Sequence, residues 1–386
     1  MLDTIYTDAE SALAEDVRAA HDAGTPLEIA GGGTRKALGG PVQAETTIST
    51  AGVSGISLYE PGALTIVAGA GTPLAEIEAA LAVENQRLAF EPMDHRALLG
   101  TTGEPTIGAV AAMNNSGPRR IQAGAARDAM LGVRFVDGRG TVIRNGGRVM
   151  KNVTGYDLVK LMAGSWGTLG VITEIALKVL PAPEAVATVA LSGLDDETAI
   201  RALSAALGSP YDVTGAAHVD GQTLVRIEGF DSQVNHRGPA LVAALKSFGA
   251  ATILTGNDSD TRWVDIRDVA SFAGRDGAVW RVSVKPTDGP KLVTALRPLM
   301  PVEAFYDWGG GLVWLMVPDA GDAGAAAIRA QAAVLGGHAT LVRAAPAIRA
   351  AVDVFEPEAP PLAALTARVR GEFDPKTILN PGRMRG

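Results

Sequence analysis

The sequence of 386 residues contains no cysteine. This absence excludes a disulfide, a thiolate zinc site, an iron–sulphur cluster ligated by cysteine, and a cofactor linked through cysteine. Histidine is also scarce, and no two histidines lie close enough in the sequence to form a local metal-binding pair; the five are His21, His95, His218, His236 and His338. We therefore expect no metal site, and a redox function would need an organic cofactor.

Long apolar runs and an excess of positive charge are absent as well. No uncharged apolar stretch approaches the roughly 18 residues that a membrane helix needs, and the N-terminus lacks the pattern of a signal peptide. The chain has 34 Lys and Arg against 42 Asp and Glu, mixed along its length, for a net charge of -8. That balance argues against a basic nucleic-acid-binding surface. We expect a cytoplasmic protein with no transmembrane segment and a small ligand.

Glycine, by contrast, is abundant, and one glycine-rich stretch follows a short predicted strand at residues 27–30. The residues after that strand are Gly31, Gly32, Gly33, Thr34, Arg35 and Lys36. Glycine lets backbone N–H groups approach a pyrophosphate, because it has no Cβ and accepts positive φ angles. The hydroxyl and the two cations add donors. A flexible turn that only connects two strands is the alternative interpretation.

The two familiar phosphate-binding patterns do not fit this stretch. Counting G-x-G-x-x-G from Gly31 puts Lys36 at the last glycine position, and the pattern G-x-x-x-x-G-K-[ST] does not occur. Any phosphate site here therefore uses another scaffold.

The first half of the chain alternates predicted helices and strands, which indicates an α/β arrangement. Thr7 and Glu10 fit a capping box at the start of a helix. Residues 171–180 alternate apolar positions with Glu174 and Lys178, which predicts a half-buried strand with these two side chains facing water.

A proline-rich linker at residues 181–183 divides the chain. After it, strands and helices recur in two βαββαβ-like units, which predicts an antiparallel sheet with helices on one face. We expect an α+β protein with a first domain at residues 1–183 and a smaller second domain that begins at residue 184.

A second glycine-rich block, "EPTIGAVAAMNNSGPRR", places many donors on a backbone that a ligand can approach closely. The residues of interest in it are Thr106, Ile107, Gly108, Asn114, Asn115, Ser116 and Gly117. Two further stretches, "GAARDAMLG" and "KNVTGYDLVKLMAGSWGTLGVITEIALKVLP", complete the glycine-rich region. Together with the first loop, these segments favour a phosphate-containing ligand.

These segments resemble the flavin-binding half of the vanillyl-alcohol oxidase superfamily, also called the PCMH-type FAD-binding domain. Within it the chain resembles the FAD-binding subunits E of bacterial glycolate oxidases, on "GTPLAEIEAAL", "NNSGPRR", "DWGGGLVWL" and "FDPKTILNPGRM". The resemblance covers nearly the whole chain. It implies an FAD-binding domain of two α/β subdomains, then the second domain to residue 370, and a C-terminal segment at 371–386 that returns to the FAD domain.

The resemblance also implies roles for individual residues. The loop from Gly31 to Arg35 would hold the pyrophosphate, and the block from Thr106 to Gly117 would lie along the other side of FAD. The remaining cofactor contacts would come from Gly170, Ile172 and Asn380. Thr34 stands where several relatives carry the histidine that is bonded to FAD, so the cofactor is expected to be noncovalent.

Other polar residues of the glycine-rich region are assigned to structure. Arg127 and Asp128 are expected to pair or to cap a helix, and Lys151, Tyr156 and Asp157 to pack or to fix a loop.

The implied function is that of an FAD-binding subunit in a glycolate oxidase complex that oxidises 2-hydroxy acids. The implied partners are a larger flavoprotein subunit and an iron–sulphur subunit, through which the chain could associate with a membrane. The histidine-rich segment that hydroxy-acid-oxidising relatives use to hold metal and substrate does not occur here. Arg281 and Lys285, on a predicted strand, face either a substrate carboxylate or solvent. A self-sufficient flavin dehydrogenase of another small substrate and a non-catalytic paralogue are the alternatives.

Overall fold

The computed structural model describes residues 5–148 and 155–384. It contains a parallel pair of strands, a five-stranded sheet, an eight-stranded sheet and one further two-stranded pair. The two larger sheets are antiparallel throughout, and helices pack against both of them. The expected α+β class is therefore confirmed.

The chain begins with a helix packed on the parallel strand pair. These elements are α1 (Thr7–Ala23), β1 (Leu27–Ala30) and β2 (Thr46–Ser49). The C-terminal segment lies beside β1, since the N–H of Leu27 donates to the carbonyl of Ile378 at 2.7 Å and the N–H of Asn380 donates to the carbonyl of Leu27 at 2.9 Å. The two ends of the chain thus share one small core.

The next region is built on the five-stranded sheet. Its strands, with one short outlying pair, are β3 (Ile56–Glu60), β4 (Thr65–Gly69), β5 (Gln86–Arg87), β6 (Met130–Val136), β7 (Val142–Gly146), β8 (Val171–Lys178) and β9 (Leu180–Pro181). Its helices are α2 (Leu74–Val83), α3 (Arg96–Leu99), α4 (Ile107–Met113), α5 (Arg120–Ala123), α6 (Ala126–Ala129) and α7 (Leu158–Met162). The spatial order is β3-β4-β8-β6-β7, and β5 pairs with β9.

The remaining strands form the eight-stranded sheet. They are β10 (Ala185–Ser192), β11 (Val213–Val219), β12 (Gln222–Gly229), β13 (Ala251–Thr255), β14 (Ala278–Ser283), β15 (Glu303–Asp307), β16 (Leu312–Val317) and β17 (His338–Arg343). The helices that follow β10 in the chain are α8 (Asp196–Leu207), α9 (Asp231–Leu245), α10 (Asn257–Arg267), α11 (Gly289–Leu296), α12 (Ala325–Val334), α13 (Pro346–Ala351) and α14 (Pro360–Phe373). Of these, α14 packs through Val369 and Phe373 on the core of the first region.

The strand order of this sheet, β13-β10-β12-β11-β15-β16-β14-β17, shows two βαββαβ units joined where β11 meets β15. One face carries α8, α9, α11 and α12 over a core that includes Trp280 and Leu315. The other face packs Trp314 and Val279 against α10 and against residues of the first region such as Met93 and Leu98. The expected helix-covered antiparallel sheet is confirmed, and its second face lies on the first region.

Two local predictions were wrong, because Glu10 and Glu174 are more buried than the sequence pattern indicated. Tyr6, not Thr7, is the N-cap of α1, and Glu10 is buried, where its carboxylate binds Arg134 and Thr173 instead of the helix start. Glu174 is 7% exposed and accepts a 2.6 Å hydrogen bond from the Tyr6 hydroxyl. A central strand covered on both faces buries its polar positions too.

Among the described residues, no helix is long and apolar enough to cross a membrane. The domain boundaries at residues 183 and 370 stay predictions.

Candidate functional site

A cleft with about 770 Å³ of empty space, counting the part open to solvent, lies in the first region. Its walls come from the end of β1 and the following loop, from α4, from the start of β8, and from the C-terminal segment. This volume is in the range of cofactor and small-ligand sites. We call this space the glycine-loop cleft.

Ten of the fifteen predicted cofactor residues line the glycine-loop cleft. They are Gly31, Gly32, Gly33, Thr34, Arg35, Thr106, Gly108, Gly170, Ile172 and Asn380. The other five do not line it, and they are Ile107, Asn114, Asn115, Ser116 and Gly117. The structure therefore brings together residues that are 349 positions apart in sequence, from Gly31 to Asn380, around one space.

The three glycines of the loop are required for different reasons. Only Gly33 has a positive φ, at +77°, and open space surrounds the position of a side chain there. A Cβ on Gly31 would lie 2.4 Å from the Thr106 hydroxyl oxygen, and one on Gly32 would lie 1.7 Å from the carbonyl oxygen of Glu104. Close approach of a neighbouring chain segment therefore explains two of the three glycines, and a positive φ explains the third.

Two buried polar atoms at the cleft have no hydrogen-bond partner among the described residues. The Thr106 hydroxyl is one, and Nη1 of Arg35 is the other. Arg35 is 8% exposed, and its other nitrogens are engaged: Nη2 donates to the carbonyl of Met93 at 3.0 Å and Nε to Nδ1 of His95 at 3.3 Å. Because buried donors are nearly always paired in native proteins, these two atoms indicate a polar ligand with acceptor oxygens.

The guanidinium of Arg35 stays charged although it is buried beside the neutral imidazole of His95. Burial is the main cause that lowers the pKa of Arg35 to about 10, opposed by the nearby Asp94 carboxylate. Burial, and then the charge of Arg35, lower the pKa of His95 to about 3. At neutral pH the guanidinium is therefore charged and His95 is neutral, and within the described residues Arg35 forms no ion pair, since the nearby Asp94 pairs with Arg96.

Asn380 fixes the floor of the cleft. Its Oδ1 accepts from the N–H of Ile29 at 2.8 Å, and its Nδ2 donates to the carbonyl of Trp166 at 2.9 Å. Both Ile29 and Trp166 line the cleft. The amide of Asn380 is thus used in joining three chain segments.

The "NNSGPRR" residues stabilise the loops beside the cleft. Nδ2 of Asn115 donates to the carbonyl of Met93 at 2.8 Å. Oδ1 of Asn114 accepts from the N–H of Arg127, and the hydroxyl of Ser116 accepts from the N–H of Ala126. Their side chains are therefore committed to neighbouring backbone groups in this structure.

A buried charge network joins this segment to the eight-stranded sheet. Arg119 pairs with Glu228 of β12, and Arg226 of β12 holds both oxygens of Glu91 at 2.8 and 2.9 Å. Arg87 also reaches Glu228, at 2.9 Å. Since the guanidinium groups bind carboxylates from the opposite region, the network fixes the sheet relative to the cleft.

The two predicted substrate residues separate in the structure. Arg281 lies on β14 on the face toward the first region, with Cζ 5.1 Å from the centroid of the Trp308 ring. Lys285 lies beyond the end of β14 and is exposed. The predicted alternation on one strand therefore does not place them at a common site.

Three further expectations can be compared with the structure. Asp128 accepts from the N–H of Ala125 at 2.8 Å and Asp157 from that of Lys160 at 3.0 Å, so both cap helices. Tyr156 is 88% exposed, so the expectation that it packs was wrong. Lys151 lies outside the described residues.

Comparison with known proteins agrees with this geometry. The family described as the FAD binding domain matches residues 4–146. Glycolate oxidase subunit GlcE of Escherichia coli (strain K12) is 35% identical over 98% of this chain and 97% of its own length. This chain belongs to the glycolate oxidase subunit GlcE family. It is thereby a member of a group of flavin-dependent oxidoreductases, as the resemblance implied.

More distant relatives share parts of the chain or its fold. Glycolate oxidase subunit GlcD of Bacillus subtilis (strain 168) is 34% identical over 32% of this chain and 27% of its own length. An alkyldihydroxyacetonephosphate synthase structure superposes with a TM-score of 0.67 at 17% identity, over 95% of this chain and 74% of that chain. This likeness shows the fold alone, and the expected PCMH-type fold is confirmed.

Several residues around the cleft were missed from the sequence. Trp166, Met113 and Arg383 line it, and Arg383 stands in the same "NPGRM" motif from which Asn380 was chosen. Trp308 belongs to "DWGGGLVWL", which carried the resemblance without a role for the indole. His95 gave no signal, because its partner Arg35 is 60 residues away in sequence.

Proposed function

We propose that this chain is the FAD-binding subunit of a glycolate oxidase complex that oxidises glycolate or a related 2-hydroxy acid. The observation that carries the proposal is the full-length similarity to subunit GlcE together with the unpaired Thr106 and Arg35 donors in the glycine-loop cleft. A phosphate-containing cofactor offers the acceptor oxygens that these donors need.

The cofactor is proposed to be FAD held without a covalent bond. Gly31 to Arg35 and Thr106 would hold the pyrophosphate, while Gly170 and Ile172 would contact the adenine end. Among the residues that line the cleft there is no histidine or cysteine. His95, the histidine beside the loop, already accepts a hydrogen bond from Arg35. When bound, FAD would supply the acceptor for a hydride from the hydroxy-acid carbon.

The chain is proposed to work with partners. Its described residues contain no group of three or more His, Cys, Asp or Glu side chains that could hold a metal ion. A larger flavoprotein subunit with the histidine-rich segment would complete the oxidation, and an iron–sulphur subunit would carry the electrons away, since this chain has no cysteine. We place the assembly in the cytoplasm, with membrane association only through the partners.

Affinity purification from the native cell, followed by a dye-reduction assay, tests this division of labour. The lone FAD-loaded chain should oxidise glycolate and lactate slowly, and the assembly should be faster by about 10²–10⁴, the usual contribution of a general base. Equal rates for the lone chain and the assembly would contradict the proposal and favour a self-sufficient dehydrogenase. Purification without any second flavoprotein would contradict the proposed complex.

A further inference from the structure

We propose that Arg120, Trp308 and Arg281 form a binding site for the carboxylate of a small 2-hydroxy acid. The site lies between α5 and the eight-stranded sheet, beside the glycine-loop cleft. The chemical class of the ligand rests on the proposed function, whereas the anion-binding character rests on the geometry of these three side chains.

The three side chains form one stack. Cζ of Arg120 lies 4.7 Å from the centroid of the Trp308 ring, and Cζ of Arg281 lies 5.1 Å from it. All three side chains are half-buried, so a ligand can reach them. The indole is itself fixed, because its Nε1–H donates to the carbonyl of Gly117 at 3.1 Å. Two guanidinium groups from different regions are thus positioned over one rigid aromatic ring.

Neither guanidinium has a carboxylate partner within the described parts of the chain, although acidic residues lie nearby. Asp128 faces Arg120, but its Oδ2 accepts the N–H of Ala125. Asp307 is close to Arg281, but its Oδ1 accepts the N–H of Trp308, and burial raises the pKa of Asp307 to about 7. The nearby acids are therefore committed to backbone groups.

The surrounding charges are mostly positive. Burial and then the charge of Arg120 lower the pKa of Arg281 to about 10, while Asp307 opposes this. Burial also lowers the pKa of Arg120, with Asp128 opposing and Arg127 adding to the shift. Burial lowers the pKa of His338 on the neighbouring strand β17. Arg281 and Arg120 add to this shift, and Glu356 opposes it. Two neighbouring half-buried cations that form no ion pair within the described residues are costly, and a bound anion would offset part of that cost.

The geometry favours a carboxylate with a second oxygen. A guanidinium fork binds the two oxygens of a carboxylate side by side. Because the charge of Arg120 acts on Arg281, the second guanidinium would bind the oxygen on the adjacent carbon, as in a 2-hydroxy acid. The stack is also linked to the cleft: Arg281 lies close enough to His95 to affect its pKa, and His95 accepts from Arg35, which lines the cleft.

Calorimetric titration of the purified, FAD-loaded protein with glycolate tests the proposal. The variants are Arg120→Met and Arg281→Met, which keep a long side chain over the indole but remove the charge. Arg262→Met, on the exposed side of α10, is the matched control. We expect saturable binding of glycolate to the parent and the control, binding weakened at least about 10-fold in each variant, and weaker binding of inorganic phosphate than of glycolate.

Melting temperature without glycolate separates binding from structure. Each Arg120 or Arg281 variant removes one of two mutually repelling charges, so it should melt no lower than the parent. Glycolate should raise the melting temperature of the parent and of the Arg262→Met control more than that of either variant. Unchanged glycolate affinity in both variants, no saturable binding to the parent, or phosphate binding as tightly as glycolate would each overturn the proposal. The flavin absorbance of the same samples tests cofactor binding separately, so failure of the proposed function is visible independently.

Discussion

Replacement of Thr106 by valine should have opposite effects on the free and the FAD-bound protein. The Thr106 hydroxyl is buried at the glycine-loop cleft and has no hydrogen-bond partner in the described parts of the chain, and its oxygen lies close to Gly31. Thr106 has an extended backbone, with φ -112° and ψ 151°, which valine also adopts readily. The substitution therefore removes one hydroxyl and changes little else.

The expected magnitudes follow from the state of that hydroxyl. A buried polar group without a partner costs about 1–3 kcal/mol, so Thr106→Val should stabilise the FAD-free protein by up to that amount. If the hydroxyl donates to a pyrophosphate oxygen, its loss removes a hydrogen bond to a charged group worth about 1.5–3 kcal/mol. FAD affinity should then fall about 10- to 150-fold.

Urea unfolding of the FAD-free protein and fluorescence titration with FAD measure the two effects. Thr72→Val is the matched control, since the Thr72 hydroxyl is satisfied within the protein: it accepts from the N–H of Gly55 at 2.9 Å and donates to the carbonyl of Gly69 at 2.7 Å. This control should lower stability and leave FAD affinity within about threefold. A substitution of Arg35 would be harder to interpret, because two of its nitrogens already donate to His95 and to the carbonyl of Met93.

Two results would contradict the proposed role of the Thr106 hydroxyl. Unchanged FAD affinity in Thr106→Val would show that the hydroxyl does not contact the cofactor. Lower stability of the FAD-free variant would show that the hydroxyl has a partner within the protein.

The other predictions concern the glycine loop and two buried ionisable groups. Gly32→Ala should disrupt the loop and abolish FAD binding, because its Cβ would collide with the Glu104 carbonyl, whereas Gly33→Ala should cost only about 1–2 kcal/mol of backbone strain in urea unfolding; equal costs would contradict this. The pKa of Asp307 is raised from 3.8 to about 7, so its ionisation destabilises the fold as pH rises through that window. Asp307→Asn should be more stable than the parent above pH 7 by up to about 4 kcal/mol, and parallel stability curves would refute it. The pKa of His95 is lowered from 6.5 to about 3, so stability is lost as pH falls below 6.5; His95→Gln should reduce that loss in acid unfolding, and an unchanged acid slope would argue against a buried neutral ring.

Patterns within one element predicted the fold well. The two βαββαβ units were visible from the order of strands and helices, and the structure has both of them. The burial of polar side chains between packed elements was not predictable from such patterns. Glu10 was expected to cap a helix and Glu174 to face water, yet each is buried against a partner that is more than 120 residues away in sequence.

In the candidate site, too, features within one segment were predictable and contacts between distant segments were not. The glycine loop and Thr106 were found because their donors are dense in short segments. The stack of Arg120, Trp308 and Arg281 was not found as a unit, since its members are spread over residues 120–308 and meet only when the eight-stranded sheet packs on the first region. The sequence pattern also could not show that the Asn114 and Asn115 side chains are used by neighbouring backbone groups.

The visible absorption spectrum of the purified chain, recorded before and after acid precipitation, tests the central claim most directly. We expect a yellow protein with a flavin spectrum whose colour passes entirely into the acid supernatant, because the proposed attachment involves hydrogen bonds and charge without a covalent bond. A colourless protein that fails to take up added FAD would contradict the cofactor assignment, and flavin that stays in the acid pellet would contradict the noncovalent attachment.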